Sequence, residues 1–181
     1  MRFKAKLASE QVSLLCTLLG SISKLIGNES NNVATRSGGS LLMGGSALRL
    51  DSHKLKIISK GQNEAECISF FCELSTTDGI FLDFRIDSTM KDNAIAMEID
   101  LIQLRAALQT IVGGHHENLS RNSHDSSFGD AAERLQYGTT IIKLAKRDRV
   151  PCLCLEAITR GGLMSLHHSI PVRVIRVEDA E

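Results

Sequence analysis

The residue types best suited to chemistry gather in one short stretch. His115, His116, His124 and Asp125 supply imidazole and carboxylate donors, a set that could hold a divalent metal and serve a small metal-dependent hydrolase. Such ligands work only when surrounding partners fix their orientation. Residues 115–138 are polar and without period, so no metal and no other cofactor is expected there. His167 and His168 adjoin a late extended segment, where neighbouring side chains point to opposite faces and cannot easily share one ion. Nucleophilic catalysis has no anchor either: no GxSxG elbow surrounds any serine, and Cys16, Cys67, Cys72, Cys152 and Cys154 carry no local signature. Asp83 and Asp87 stand in an alternating extended segment, where carboxylates usually wet a sheet face. The expectation is a chain that is not an enzyme and works through its surfaces.

Charge limits what those surfaces can do. The 181 residues hold 21 basic and 21 acidic side chains, a formal net charge of zero, and 43% of them are apolar. That is one domain's length with a core-sized apolar share, and a folded chain of this size hides roughly 70% of the surface its unfolded form exposes. Neutrality excludes nucleic-acid binding by bulk attraction, because each neutralised phosphate needs its own cation. Any DNA contact has to come from a local patch. Lys143, Lys146, Arg147 and Arg149 crowd around Asp148 at a turn, where they protect a hairpin tip or meet a phosphate or a partner. The double glycines at 38–39 and 44–45 lack the GxxxxGK[ST] of a phosphate loop. No run approaches the ~20 apolar residues of a membrane span, and the first residues alternate instead of forming a signal peptide. Cysteines in odd number without CxxC spacing suit buried thiols in a reducing compartment. Asn28 and Asn118 fit the glycosylation pattern, but that chemistry requires a secretory route.

The elements that would carry such surfaces can be read from periodicity. Phe3, Ala5 and Leu7 alternate with Arg2, Lys4 and Lys6, the pattern of a half-buried strand. Ser9 then caps a helix whose apolar stripe is Val12, Leu15, Leu19, Ile22 and Ile26, ending near Gly27. Its opposite stripe, Glu10, Ser13, Thr17, Ser21 and Lys24, is mostly small and uncharged, suited to a large neighbour or to plain solvent. Residues 27–47 are rich in Gly, Ser and Asn and read as a polar insertion. Five extended segments follow: 48–51, 54–59, 66–74, 80–86 and 95–99, with a turn at Thr76-Thr77-Asp78-Gly79. Their close succession predicts an antiparallel meander. Asp100 caps a second helix with stripe Leu101, Leu104, Leu108 and Ile111, expected to stop at Gly113-Gly114, and residues 113–138 form a second polar insertion. Three more strands close the chain, with Pro151 and Pro171 at strand starts. The order strand, helix, five strands, helix, three strands predicts an α+β domain with both helices on one face of a mainly antiparallel sheet.

Several blocks carry a resemblance beyond periodicity. MRFKAKL, LRLDSHKLKIIS, ISFFCEL leading to IFLDFRI, AMEIDLIQLRAALQ, IIKLAKRDRVPCLCLE and HHSIPVRVIRV, in that order, resemble the Hus-type subunit of the heterotrimeric nine-one-one checkpoint clamp. The resemblance covers nearly everything except the two insertions. It implies a sliding-clamp fold in which each subunit contributes two α+β domains, with helices lining a hole around double-stranded DNA and sheets outside. It also implies no catalytic residues, a nuclear location, two companion subunits, a dedicated clamp loader, and recruitment of checkpoint and repair factors. By that resemblance Lys24 and Arg105 would face DNA without sequence preference. Val172, Arg173, Val174, Ile175, Arg176 and Val177 would pair with a neighbouring subunit, and the edge from Cys67 to Leu74 with a second domain. Family members continue past the final strand, so residues 178–181 would begin a connector to a second clamp domain absent from this chain. A truncated competitor that binds one clamp partner without closing a ring is the other alternative.

Overall fold

Phe3, Ala5 and Leu7 are buried while Arg2 and Lys4 remain exposed, so the first strand, β1 (Arg2–Ala8), has the two faces its alternation requires. The structure is a computed structural model and describes residues 1–27, 46–60, 69–120, 137–159, 162 and 164–180. After β1 come α1 (Ser9–Gly27), β2 (Ser46–Leu50), β3 (Lys54–Lys60), β4 (Ser69–Ser75), β5 (Asp83–Asp87), β6 (Ile95–Ile99), α2 (Leu101–Ser120), β7 (Tyr137–Arg147), β8 (Val150–Thr159) and β9 (Ser165–Ile175). Short 3-10 turns at Lys91–Asn93 and Val177–Ala180 complete the chain. The element order is the expected one. The insertion expected at residues 27–47 falls almost wholly outside the described residues.

All nine strands form one antiparallel sheet in the order β4-β3-β2-β6-β9-β8-β7-β1-β5. One core lies between this sheet and the helices. Val12, Leu15, Leu19 and Ile22 of α1 meet Leu104, Leu108 and Ile111 of α2 over Leu7, Leu50, Met97 and Leu155 of the sheet. Burying each such side chain contributes about 1.5–3 kcal/mol, which is why the apolar stripes dictate the layer. The strand β9 joins the two halves. Its residues Ser165 to Pro171 pair with β8, and Val172 to Ile175 pair with β6.

The expected meander forms only through β2, β3 and β4, which pair antiparallel in succession, and stops there. After Gly79, at φ +73°, the chain leaves β4 and crosses to the far end of the sheet, where Leu82 N–H donates to Lys6 O and β5 pairs with β1. Aromatic packing decides the route: Phe84 meets Phe3 and Phe81 edge to face, with ring centroids 5.4 and 5.0 Å apart. The alternation also slips there, since Phe81 is buried and Leu82 is 59% exposed. Asn93 holds the next connection through Ser88 N–H to Asn93 Oδ1 and Asn93 Nδ2 to Ile86 O.

The second helix also differs from its expected end. Asp100 caps it as expected, its Oδ1 accepting from Ile102 and Gln103 N–H at 2.8 and 3.1 Å. It then continues through Gly113-Gly114 to Ser120, shortening the second insertion at its start. A helical glycine costs only about 1 kcal/mol relative to alanine, too little to end a helix already anchored on a core. Residues 121–136 lie outside the described residues.

Candidate nucleic-acid interface

The helix layer presents one side of the molecule. On α1 the exposed positions are Glu10, Leu14, Thr17, Ser21 and Lys24, and on α2 they are Ile102, Gln103, Ala106, Gln109 and Thr110. The small polar stripe of α1 turns inward on itself: Ser13, Thr17 and Ser21 hydroxyls donate to the carbonyls of Ser9, Ser13 and Thr17 at 3.4, 3.0 and 3.2 Å. Back-bonding of this kind satisfies each hydroxyl within the helix and leaves a low, nearly uncharged surface. Large bodies can approach it without displacing long charged side chains.

The two predicted cations occupy different settings. Lys24 is exposed in the last turn of α1, where a positive charge also complements the helix dipole. Arg105 is half-buried in the α1–α2 contact. Its guanidinium lies over Gly20, close enough that a Cβ there would sit 3.5 Å from Nε. The Nε is buried and has no acceptor among the described residues. Cys16 borders the same spot: burial pushes its thiol up, and the positive Arg105 partly counters the shift. Helix periodicity set Lys24 and Arg105 on the polar sides of their helices but missed that Arg105 lies across a helix crossing. A glycine inside the α1 pattern, opposite an arginine on α2, is the signal that could have suggested it. Leu14 and Ile102, 56% and 65% exposed, were also missed as surface residues.

The residues expected at a subunit edge are likewise divided. Val172 belongs to the core, and Val174 shares its side of the strand. On the opposite side, Arg173 Nε donates to Glu98 Oε2 at 2.8 Å, while its Nη2 meets Oε1. That pairing raises the Arg173 pKa, through the hydrogen bond first and the charge second. Ile175 and Val177 pack on a second small cluster of Ala47, Ala96 and Ala180. Arg176 is exposed. Residues 178–180, expected to begin a connector, belong to the 3-10 turn that places Ala180 against this cluster. The backbone of Val172 to Ile175 is paired on its β6 side, and its other side has no partner strand among the described residues. At the sheet's end, β4 pairs with β3 and with no other strand among the described residues, and Phe71 is 56% exposed. Cys67, the expected start of that edge, lies outside the described residues.

The histidine-rich candidate does not assemble into a described site. His115 and His116 fall within the backbone of α2, whereas His124 and Asp125 lie outside the described residues. Among the described residues no group of three or more His, Cys, Asp or Glu could hold a metal.

Two helices laid on one face of a nine-stranded antiparallel sheet define an α+β domain of the sliding-clamp type. The chain belongs to the family described as Hus1-like protein, which matches residues 42–181 and makes it a checkpoint clamp subunit. The match takes in β2 through the final 3-10 turn, while β1 and α1 precede it. No curated protein matches the chain. Among the described residues no helix is long and apolar enough to cross a membrane.

Proposed function

We propose that this chain is a noncatalytic part of a nuclear DNA-damage checkpoint clamp that encircles double-stranded DNA and presents its outer surface to repair and checkpoint factors. The helix layer carries the proposal: its outer side is low, hydroxyl-rich and nearly neutral. A ring holds DNA by enclosure, so its inner wall needs weak contacts that do not arrest sliding. Lys24 meets phosphates directly, and Arg105 reaches them from the helix crossing. Two phosphate contacts give a salt slope of only about −1.8, far too shallow for tight binding without enclosure. Subunit pairing uses the unpaired side of β9 from Val172 onward, and β4 pairs with a second clamp domain.

Reconstitution tests this. The chain, co-expressed with the two companion clamp subunits, should co-purify as a heterotrimer. A clamp loader should then place that heterotrimer on circular DNA, and cutting the circle should release it. Lys24→Glu should reduce retention on the circle by only a few fold. Failure to join both companions would overturn the proposal, and joining only one would favour a truncated competitor.

A further inference from the structure

Cations also gather away from the helices. On the outer face of the sheet β1 carries Arg2, Lys4 and Lys6. Register places Lys4 directly opposite Arg85 of β5 on one side and Lys143 of β7 on the other. Three cations therefore stand in one row across adjacent strands with no carboxylate between them. Like charges directly opposite each other destabilise a sheet. Elsewhere this sheet avoids the cost: Lys56 faces Glu73, and Glu98 faces Arg173. Arg49 also faces Lys56, but Glu73 is next in that row, 3.4 Å from the Lys56 ammonium.

The flanking cations in the row have carboxylates of their own. Arg85 is held by Asp83 at 3.0 Å and Lys143 by Glu156 at 2.6 Å. Lys4 is exposed, stands between two like charges, and has no ion-pair partner among the described residues. An arrangement that costs stability and leaves its central cation open is suited to an anion from outside.

The form of that anion follows from the borders of the strip. Along β1 the cations on either side of Lys4 each face a carboxylate, Arg2 opposite Asp87 and Lys6 opposite Asp83, and Glu156 bounds the row on β8. The open charge is therefore one row wide, centred on Lys4, with an answered cation two residues away on either side along β1. An extended peptide presents its own side chains at the same repeat, roughly 6.6–6.8 Å. A duplex is far wider and would lay phosphates over the bordering carboxylates.

We propose that the outer-face strip centred on Lys4 docks an extended acidic peptide segment, one carboxylate of which is received between Lys4, Arg85 and Lys143. The site is independent of the helix layer and of DNA enclosure. A partner carrying such a segment can occupy it while DNA occupies the other side.

The test uses the full chain and a fluorescent hexaglutamate peptide, read by anisotropy at low salt and again at 0.15 M. Binding should weaken with salt, because exposed charges are screened within about 8 Å at that ionic strength. Lys4→Gln should weaken peptide binding about fivefold. The same change should raise the thermal midpoint by about 1–3 °C, since it removes two like-charge oppositions. Lys24→Gln on the helix layer should leave peptide affinity unchanged. Unchanged peptide affinity in Lys4→Gln would overturn the proposal, as would a lower melting point for that variant. Duplex DNA that binds through Lys4 more tightly than the peptide would overturn it too, by assigning the strip to nucleic acid.

Discussion

The two ends of the sheet are built on opposite plans. At one end β5 is five residues long and sets Asp83, Arg85 and Asp87 on its outer face, while Phe84 turns inward to Phe3 and Phe81. At the other end β4 is seven residues long, with Phe70, Phe71 and Cys72 in succession and Glu73 as its sole charge. Short, charged edges repel a further strand, whereas long apolar edges invite one. The contrast within a single sheet separates an edge that is closed from one that is open to pairing. By crossing the sheet to its aromatic partners, β5 leaves the outer side of β4 without a partner strand among the described residues.

Side-chain truncation should expose the difference most strongly. Phe84→Ala should cost about 2 kcal/mol in urea unfolding, because it removes the half-buried centre of an aromatic trio packed against the core. Phe71→Ala, at a ring 56% exposed under the Lys56 ammonium, should change stability by no more than about 0.5 kcal/mol. Equal losses at the two sites would erase the contrast. Association should reverse the ranking. The chain should self-associate through β4 in concentrated solution, and Phe71→Lys should weaken that association about tenfold in analytical ultracentrifugation. A clean monomer at high concentration would show that β4 is closed as well.

Acid should give the smallest effect. Glu156, under Lys143, has its carboxyl held below the usual range mainly by the Lys143 hydrogen bond, against an opposing effect of burial. A carboxyl lowered in the folded state stabilises above its unfolded pKa of about 4.3 and loses that contribution as pH falls through the folded value. Lys143→Met should therefore move the acid-unfolding midpoint to higher pH and cost about 0.5 kcal/mol at neutral pH, a modest figure because Lys143 is partly solvated. Glu73 at the β4 edge is also lowered, first by its hydrogen bond to Lys54. Removing Lys56 alone leaves Lys54 in place at 3.1 Å. Lys56→Met should shift the midpoint by less than Lys143→Met does.

Much of this architecture was legible in the residues, because periodicity reports burial directly. The alternation of Phe3, Ala5 and Leu7 and the stripe of Val12, Leu15, Leu19 and Ile22 both correspond to buried faces. Asp100 caps α2 as its chemistry demands. Strand partners were legible only where a short turn joins successive strands, as from β2 to β3, since periodicity fixes a strand's two faces but says nothing about distant neighbours. Hence the expected meander failed at β5, where long-range contact with Phe3 decided the pairing. The same limit applied to the candidate sites. Lys24 could be placed from the helix pattern, but the position of Arg105 over Gly20 and the row through Lys4 depend on which elements meet. The turn from β7 to β8 shows the limit locally: Asp148 and Arg149 both adopt positive φ, at +49° and +68°, without the glycine that would have announced it.

The pairing of β1 carries a consequence in time. One side of this strand is covered by β5 and the other by β7, so Lys4 meets Lys143, about 140 positions later in the chain. At ordinary rates of synthesis, a ribosome needs on the order of 10 s to make the intervening residues. Throughout that interval the first strand has at most one neighbour, and its apolar side waits for a second. The strand made before both of its partners is fully paired only when the later one emerges, which places the nascent domain's main demand for chaperone protection at β1.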